Sequence, residues 1–153
     1  MSVLELKLPP VAATLLFALL MWLLARVTPG LPLALEWRIA LAAPLLVAAA
    51  TVGLAAVWAF RRARTTVNPL NPERATTLVV DGVFRHSRNP MYLALLLALI
   101  GWGLFLSNAF ALLAALGFVP YMNRFQIEPE ERALARAYDA EFAAYCRQVR
   151  RWL

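Results

Sequence analysis

The run from Asn89 to Phe125, NPMYLALLLALIGWGLFLSNAFALLAALGFVPYMNRF, decides the fold. Its two apolar stretches, about 90–106 and 109–125, are separated only by Ser107-Asn108. Two polar turn residues between two apolar runs predict a tight helical hairpin. Asn89-Pro90 marks its start, because Asn suits an N-cap and Pro suits the first helical position, where its missing N–H costs nothing. Arg124 falls in the last turn of the second arm, where its stem can snorkel to an interface.

Toward the N-terminus, Ile39 to Phe60 carries no charge and meets the ~20-residue length of a bilayer crossing. A fourth apolar run, about 10–26, lies between Lys7 and Arg26. Glu5 ahead of it and the absence of a small-x-small site after Ala25 speak against a cleaved signal peptide. The whole chain is 62% hydrophobic and 16% charged, against roughly 45–50% and 25% in soluble domains. A water-soluble globule is thereby excluded. Cys146 is alone, so no internal disulfide forms, and no Cys/His cluster offers a zinc site.

Four crossings would put the N-terminus, the 61–89 loop and the C-terminal tail on one side. That side holds Lys7, Arg61, Arg62, Arg64, Arg74, Arg85, Arg88, Arg124, Arg132, Arg136, Arg147, Arg150 and Arg151, and the other only Arg26 and Arg38. The positive-inside rule makes the richer side cytoplasmic, with both termini inside, in a bacterial inner membrane. The net charge of +6 therefore speaks to orientation rather than to nucleic acid.

From Pro129 onward, Leu134, Tyr138, Phe142, Tyr145, Val149 and Trp152 recur at three- and four-residue spacings. This stripe predicts an amphipathic helix over 129–152, lying on the headgroups or closing the cytoplasmic mouth of the bundle. The fold class expected is an all-α integral membrane protein of about four transmembrane helices. It is one domain over 1–153, with a helical hairpin and a C-terminal amphipathic helix capping a cytoplasmic pocket.

Chemistry-bearing residues gather in two segments. Asp81-Gly82 marks a turn, and Arg88 directly precedes the Asn89-Pro90 helix start, whose amides favour an anion. A well-capped membrane helix with an interfacial Arg and a belt tyrosine explains the same residues structurally. The second segment is Glu128-Pro129-Glu130-Glu131-Arg132. First-turn carboxylates are favourable against the helix dipole, and Glu128 is placed to pair with Arg132. A carboxylate at a membrane surface also suits a ribose diol or an amine. His86 has no Cys, Asp or Glu at metal-ligand spacing, so no metal site is expected. Gly101-Trp102-Gly103 reads as a close helix contact rather than a cofactor loop.

Arg88-Asn89-Pro90-Met91-Tyr92, followed one hairpin later by Glu130-Glu131 and an aromatic tail, resembles the membrane-embedded methyltransferases. These include the isoprenylcysteine carboxyl methyltransferases and the phosphatidylethanolamine N-methyltransferases. The resemblance covers roughly Arg61 to Leu153, and the chain looks most like the small bacterial members. It implies S-adenosylmethionine as cofactor, contacted by Arg88, Asn89, Pro90 and Tyr92, with Glu130 and Glu131 on its ribose or amino group. Arg88 is the residue it implies for catalysis, and a lipid or other lipophilic molecule is the implied acceptor. Asn89 stands where prenylcysteine enzymes carry His, which points away from a prenylcysteine acceptor. Ala94 stands where many members have Gly, and Tyr138-Asp139 where Phe-Gly is common. Two other functions stand beside this one. A sterol-reductase-like enzyme would use Arg61, Arg62, Arg64 and Arg85 on the 2′-phosphate of NADPH. A non-enzymatic membrane scaffold would leave both motifs as coincidence.

Overall fold

The computed structural model describes residues 8–63 and 77–153. Glu5 and the cations Lys7, Arg64 and Arg74, used above for topology and for the reductase alternative, lie outside the described residues. The elements are α1 (Pro10–Val27), α2 (Leu35–Arg62), α3 (Pro90–Leu106), α4 (Ala109–Met122) and α5 (Glu128–Gln148). A 3₁₀ turn at Gly82–Arg85 precedes α3, and a π-helical turn at Asn123–Ile127 joins α4 to α5. No strand occurs among the described residues.

Two of these helices, α1 and α2, are long and apolar enough to cross a membrane. Only 17% of the most apolar window of each is buried, so they are not core helices of a soluble protein. Leu15, Leu16 and Leu19 of α1, Val47, Leu54 and Trp58 of α2, and Leu113 and Leu116 of α4 are exposed. An outward apolar surface of that extent needs a hydrocarbon partner. The third helix is shorter, 17 residues, and occupies the middle of the bundle. It packs against α2 on one side and against α1 and α4 on the other.

The hairpin turn forms where the sequence places it. Ser107 takes the left-handed conformation (φ 53°, ψ 48°), and the Asn108 side chain accepts from Ala111 N–H to cap α4. The same two residues stitch the turn to the α1–α2 connection. Leu31 N–H donates to Ser107 O at 2.7 Å, and Asn108 Nδ2 donates to Thr28 Oγ1 at 2.9 Å. Gly101 and Gly103 serve packing, as their setting suggests. An added Cβ at Gly101 would meet Leu46 at 3.3 Å, and one at Gly103 would meet Leu112 at 2.7 Å and Met21 at 3.1 Å.

Three expectations need correction. The tail helix ends at Gln148 rather than near 152, because Val149 turns extended (φ −124°, ψ 133°). Val149 and Trp152 continue the apolar spacing but not the helix. The helix also bends at Asp139 (φ 31°, ψ −105°), a conformation costly for a residue with a Cβ. Finally, Asn89 sits at the N-cap position of α3, but its side chain accepts nothing from the helix.

Candidate functional site

The end of the bundle opposite the Ser107-Asn108 turn carries the site. Pro90 opens α3 there, the π turn delivers α4 into α5, and the 3₁₀ turn packs Phe84 edge-on against Phe60 of α2 at 5.3 Å between ring centres. Gly82 has φ +64°, so the expected turn at Asp81-Gly82 is present and uses the freedom of glycine.

Arg88 lies almost buried at the centre of a network. Its Nη2 donates to Glu131 Oε1 at 2.7 Å, and its Nη1 donates to the carbonyls of Val149 (2.9 Å) and Cys146 (3.3 Å). These carbonyls end α5, where a cation is favourable against the helix dipole. Arg88 Nε–H is buried without a partner among the described residues. Arg85, by contrast, points outward, in a pair with Asp81 at 2.7 Å whose side chains are 71% and 78% exposed.

Glu131 accepts from two guanidinium groups, Arg88 and Arg151, the latter through Nη2 at 2.6 Å and Nε at 3.3 Å. Burial raises its carboxyl, but the hydrogen bonds from Arg151 and Arg88 outweigh this and hold it below the ordinary range. Glu130 is its opposite. Its carboxylate oxygen accepts from the Tyr92 hydroxyl. Burial pushes it up, Tyr92 offsets part of the shift, and the Glu131 charge raises it further, to about 8. Two adjacent carboxyls thus sit on opposite sides of neutral pH.

The extended residues after α5 complete the arrangement. Arg150 O accepts from Arg88 N–H at 3.0 Å, and Arg151 O accepts from Asn89 Nδ2 at 2.9 Å. Ser87 Oγ accepts from Asn89 N–H at 3.1 Å, and Tyr145 OH donates to Phe84 O at 2.6 Å. The Asn89 side chain therefore holds the tail instead of capping α3. Glu128 pairs with Arg124 at 3.7 Å. Arg151 was not singled out from the sequence. It counted there only as a topology charge, and no local pattern links it to a carboxylate 20 residues earlier.

A cavity of about 870 Å³ opens on this network. All six residues singled out from the sequence, Arg88, Asn89, Pro90, Tyr92, Glu130 and Glu131, line it. Beyond them it continues between α2 and α3 along apolar side chains, including Leu46, Gly53, Val57 and Leu95. Ala94 faces this space too, and an added Cβ on Gly53 would meet its Cβ at 3.5 Å. The room that a glycine at Ala94 would provide is thus supplied from α2 by Gly53. Val11, Leu46 and Leu54 line the cavity and are also exposed on the outer apolar surface, so the cavity has an edge toward the surroundings of the bundle. Arg61, Arg62 and Arg85, the described cations available to an NADPH phosphate, do not line it.

The donor set suits S-adenosylmethionine. A partnerless buried guanidinium N–H awaits an acceptor such as a carboxylate. An ionised carboxylate beside it suits an ammonium or a diol, and Phe84, Tyr92, Phe142 and Tyr145 give aromatic surface.

Comparisons with known proteins follow the same line. The phospholipid methyltransferase family matches residues 37–141. An uncharacterized protein of Haemophilus influenzae is 44% identical over 63 residues, 41% of this chain and the whole of that protein. No solved structure matches.

Proposed function

The chain belongs to the phospholipid methyltransferase family, and from that membership we propose that it transfers a methyl group from S-adenosylmethionine to a lipophilic acceptor resident in the membrane. One observation carries the reading. Two polar segments some forty residues apart in sequence meet at one end of a single cavity whose remainder is mostly apolar. A polar donor and an amphiphilic acceptor need such a division.

Arg88 binds the carboxylate end of the cofactor through its free Nε–H, and Glu131 takes the amino group or ribose diol. Asn89 and Pro90 hold the turn that presents Arg88. When bound, the cofactor supplies a methyl group on a positively charged sulfur that leaves neutral. The protein then contributes chiefly alignment, which is worth roughly 7–11 kcal/mol in well-oriented systems. The aromatic faces around the polar end steady positive charge. The acceptor enters sideways from the bilayer past Val11 and Leu54, gaining about 0.8 kcal/mol per methylene buried.

In this reading α3 and α4 also cross the bilayer, giving four spans, with both termini and the polar end of the cavity in the cytoplasm. Arg61, Arg62, Arg85, Arg88, Arg132, Arg136 and Arg147 gather on that side by sequence position, and Arg26 and Arg38 on the other. Titration calorimetry on detergent-purified protein with S-adenosylmethionine, S-adenosylhomocysteine and NADPH tests the assignment. Binding of the first two and not the third is expected, whereas binding of NADPH alone would reject it. Labelled methyl found only in water-soluble products, with native membranes as acceptor source, would reject sideways entry.

A further inference from the structure

Glu131 takes the amino group or ribose diol of the cofactor in the reading above, yet its carboxylate is already in use. A carboxylate offers about four lone-pair positions. Arg88 Nη2 and Arg151 Nε donate to Oε1 at 2.7 and 3.3 Å, and Arg151 Nη2 donates to Oε2 at 2.6 Å. A further donor can approach only where two guanidinium groups converge, so one of them has to move. Arg88 is the harder to shift, because it is the more buried of the two and also bonds the carbonyls of Val149 and Cys146. The Arg151 side chain can move while its backbone stays. Its carbonyl accepts from Asn89 Nδ2, and its neighbours are held through Arg88 N–H to Arg150 O and the Trp152 indole to Asn123.

The structure also offers Arg151 somewhere to go. A second hollow of about 460 Å³ is lined by Arg151 and Glu128 among others. Glu131 and Phe142 line both this hollow and the large cavity, and so form the wall between them. Glu128 lies three residues before Glu131 on α5, a spacing that puts both carboxylates on one helix face. Its charge already acts on Arg151. The bond to Glu131 raises the Arg151 guanidinium, burial lowers it in part, and the charges of Glu131 and Glu128 raise it further.

We propose that Arg151 is a built-in competitor for the methyl donor: its guanidinium pairs Glu131 until the donor binds, then swings across the second hollow to Glu128. The proposal rests on the methyltransferase reading above. An ionised carboxylate left unpaired beside an apolar cavity is costly, and the exchange replaces one partner by another so that Glu131 never stands alone. The apparent affinity of the donor is then reduced by the fraction of molecules in which Arg151 has left Glu131.

The test uses the full chain in detergent and titration calorimetry with S-adenosylhomocysteine. Arg151→Gln should bind it about three- to tenfold more tightly than wild type, the order of factor that a partly exposed ion pair imposes. Arg151→Lys keeps the charge but loses the two-pronged donor, and should fall between them. Without ligand, Arg151→Gln should melt below wild type, so that stability and affinity change in opposite directions; a role confined to holding the tail would lower both. Glu128→Gln should weaken binding about threefold in the wild type. It should have no effect in the Arg151→Gln background, where there is no guanidinium to receive. Unchanged or weaker binding by Arg151→Gln, or by Arg151→Lys should the Gln variant not fold, would overturn the proposal. An equal effect of Glu128→Gln in both backgrounds would overturn it too. Wild-type protein that binds no S-adenosylhomocysteine would instead overturn the methyltransferase reading itself.

Discussion

Replacing Glu131 with Gln removes one charge and almost no volume, so its effect isolates the ion cluster. From its sequence position alone, a first-turn Glu contributes about 0.3–1 kcal/mol through the helix dipole. The structure makes that figure too small. Glu131 accepts charge-assisted bonds at 2.7 and 2.6 Å from two arginines, with a third contact at 3.3 Å. Bonds of this kind contribute roughly 1.5–3 kcal/mol each. The side chains of Arg88, Glu131 and Arg151 are 13%, 19% and 33% exposed, and Gln keeps one neutral acceptor, so a net loss of about 2–3 kcal/mol follows after discounting for solvent. At roughly 2–4 °C per kcal/mol for a chain of this size, thermal unfolding in detergent should shift down by roughly 5–10 °C. Acid should reproduce the effect in the wild type. The folded carboxyl is held below its ordinary value, so its stabilisation is complete above the unfolded-state pKa of about 4.3 and is lost as pH falls through the lower folded value. Glu131→Gln should show no such acid step. A melting shift under about 1 °C, or an acid step of equal size in both proteins, would show that the cluster contributes nothing to holding the tail in place.

Arg88→Ala should lower methyl transfer by tenfold or more, while Arg85→Ala stays within a few-fold, because only Arg88 reaches the cavity and the Arg85–Asp81 pair is solvent-screened; equal losses in a labelled-methyl assay would contradict this. Asp139→Gly should stabilise the protein by about 1 kcal/mol, read as a melting shift of roughly 2–4 °C upward, by relieving the positive φ at the bend in α5. Gly103→Val should destabilise by about 1–3 kcal/mol through overpacking against Leu112 and Met21, whereas Gly53→Ala, with 3.5 Å to Ala94, should be close to neutral by the same measurement.

Local chemistry carries most of what the sequence makes legible. Asn89-Pro90 and Ser107-Asn108 set helix ends because proline and short polar residues act on their own neighbours, and α3 runs from Pro90 to Leu106 as expected. The two polar segments are legible for the same reason, and the hairpin between them brings their ends together. What stays hidden depends on the chain doubling back. Spacing alone carries the tail helix to Trp152, yet Val149 turns extended so that Arg150 and Arg151 can bond Arg88, Asn89 and Glu131. Trp152 keeps its apolar role while its indole N–H donates to Asn123 Oδ1 at 3.0 Å. The Asn89 side chain could not be assigned from the sequence either, since its partner lies 62 positions away.

Every residue that α2 contributes to the cavity is apolar, from Leu46 through Gly53 to Phe60, while the charged groups come from Arg88 at the start of α3 and from α5. Two separate stretches of the gene therefore govern two separate properties. Substitutions in α2 can lengthen, narrow or bend the apolar chamber without disturbing a single ion pair at its mouth. In the methyltransferase reading proposed above, the preference for an acceptor can then change through α2 alone while the polar end is kept. An engineer has the same liberty: a library confined to α2 should yield altered chain preference in variants that still handle the methyl donor as the parent does.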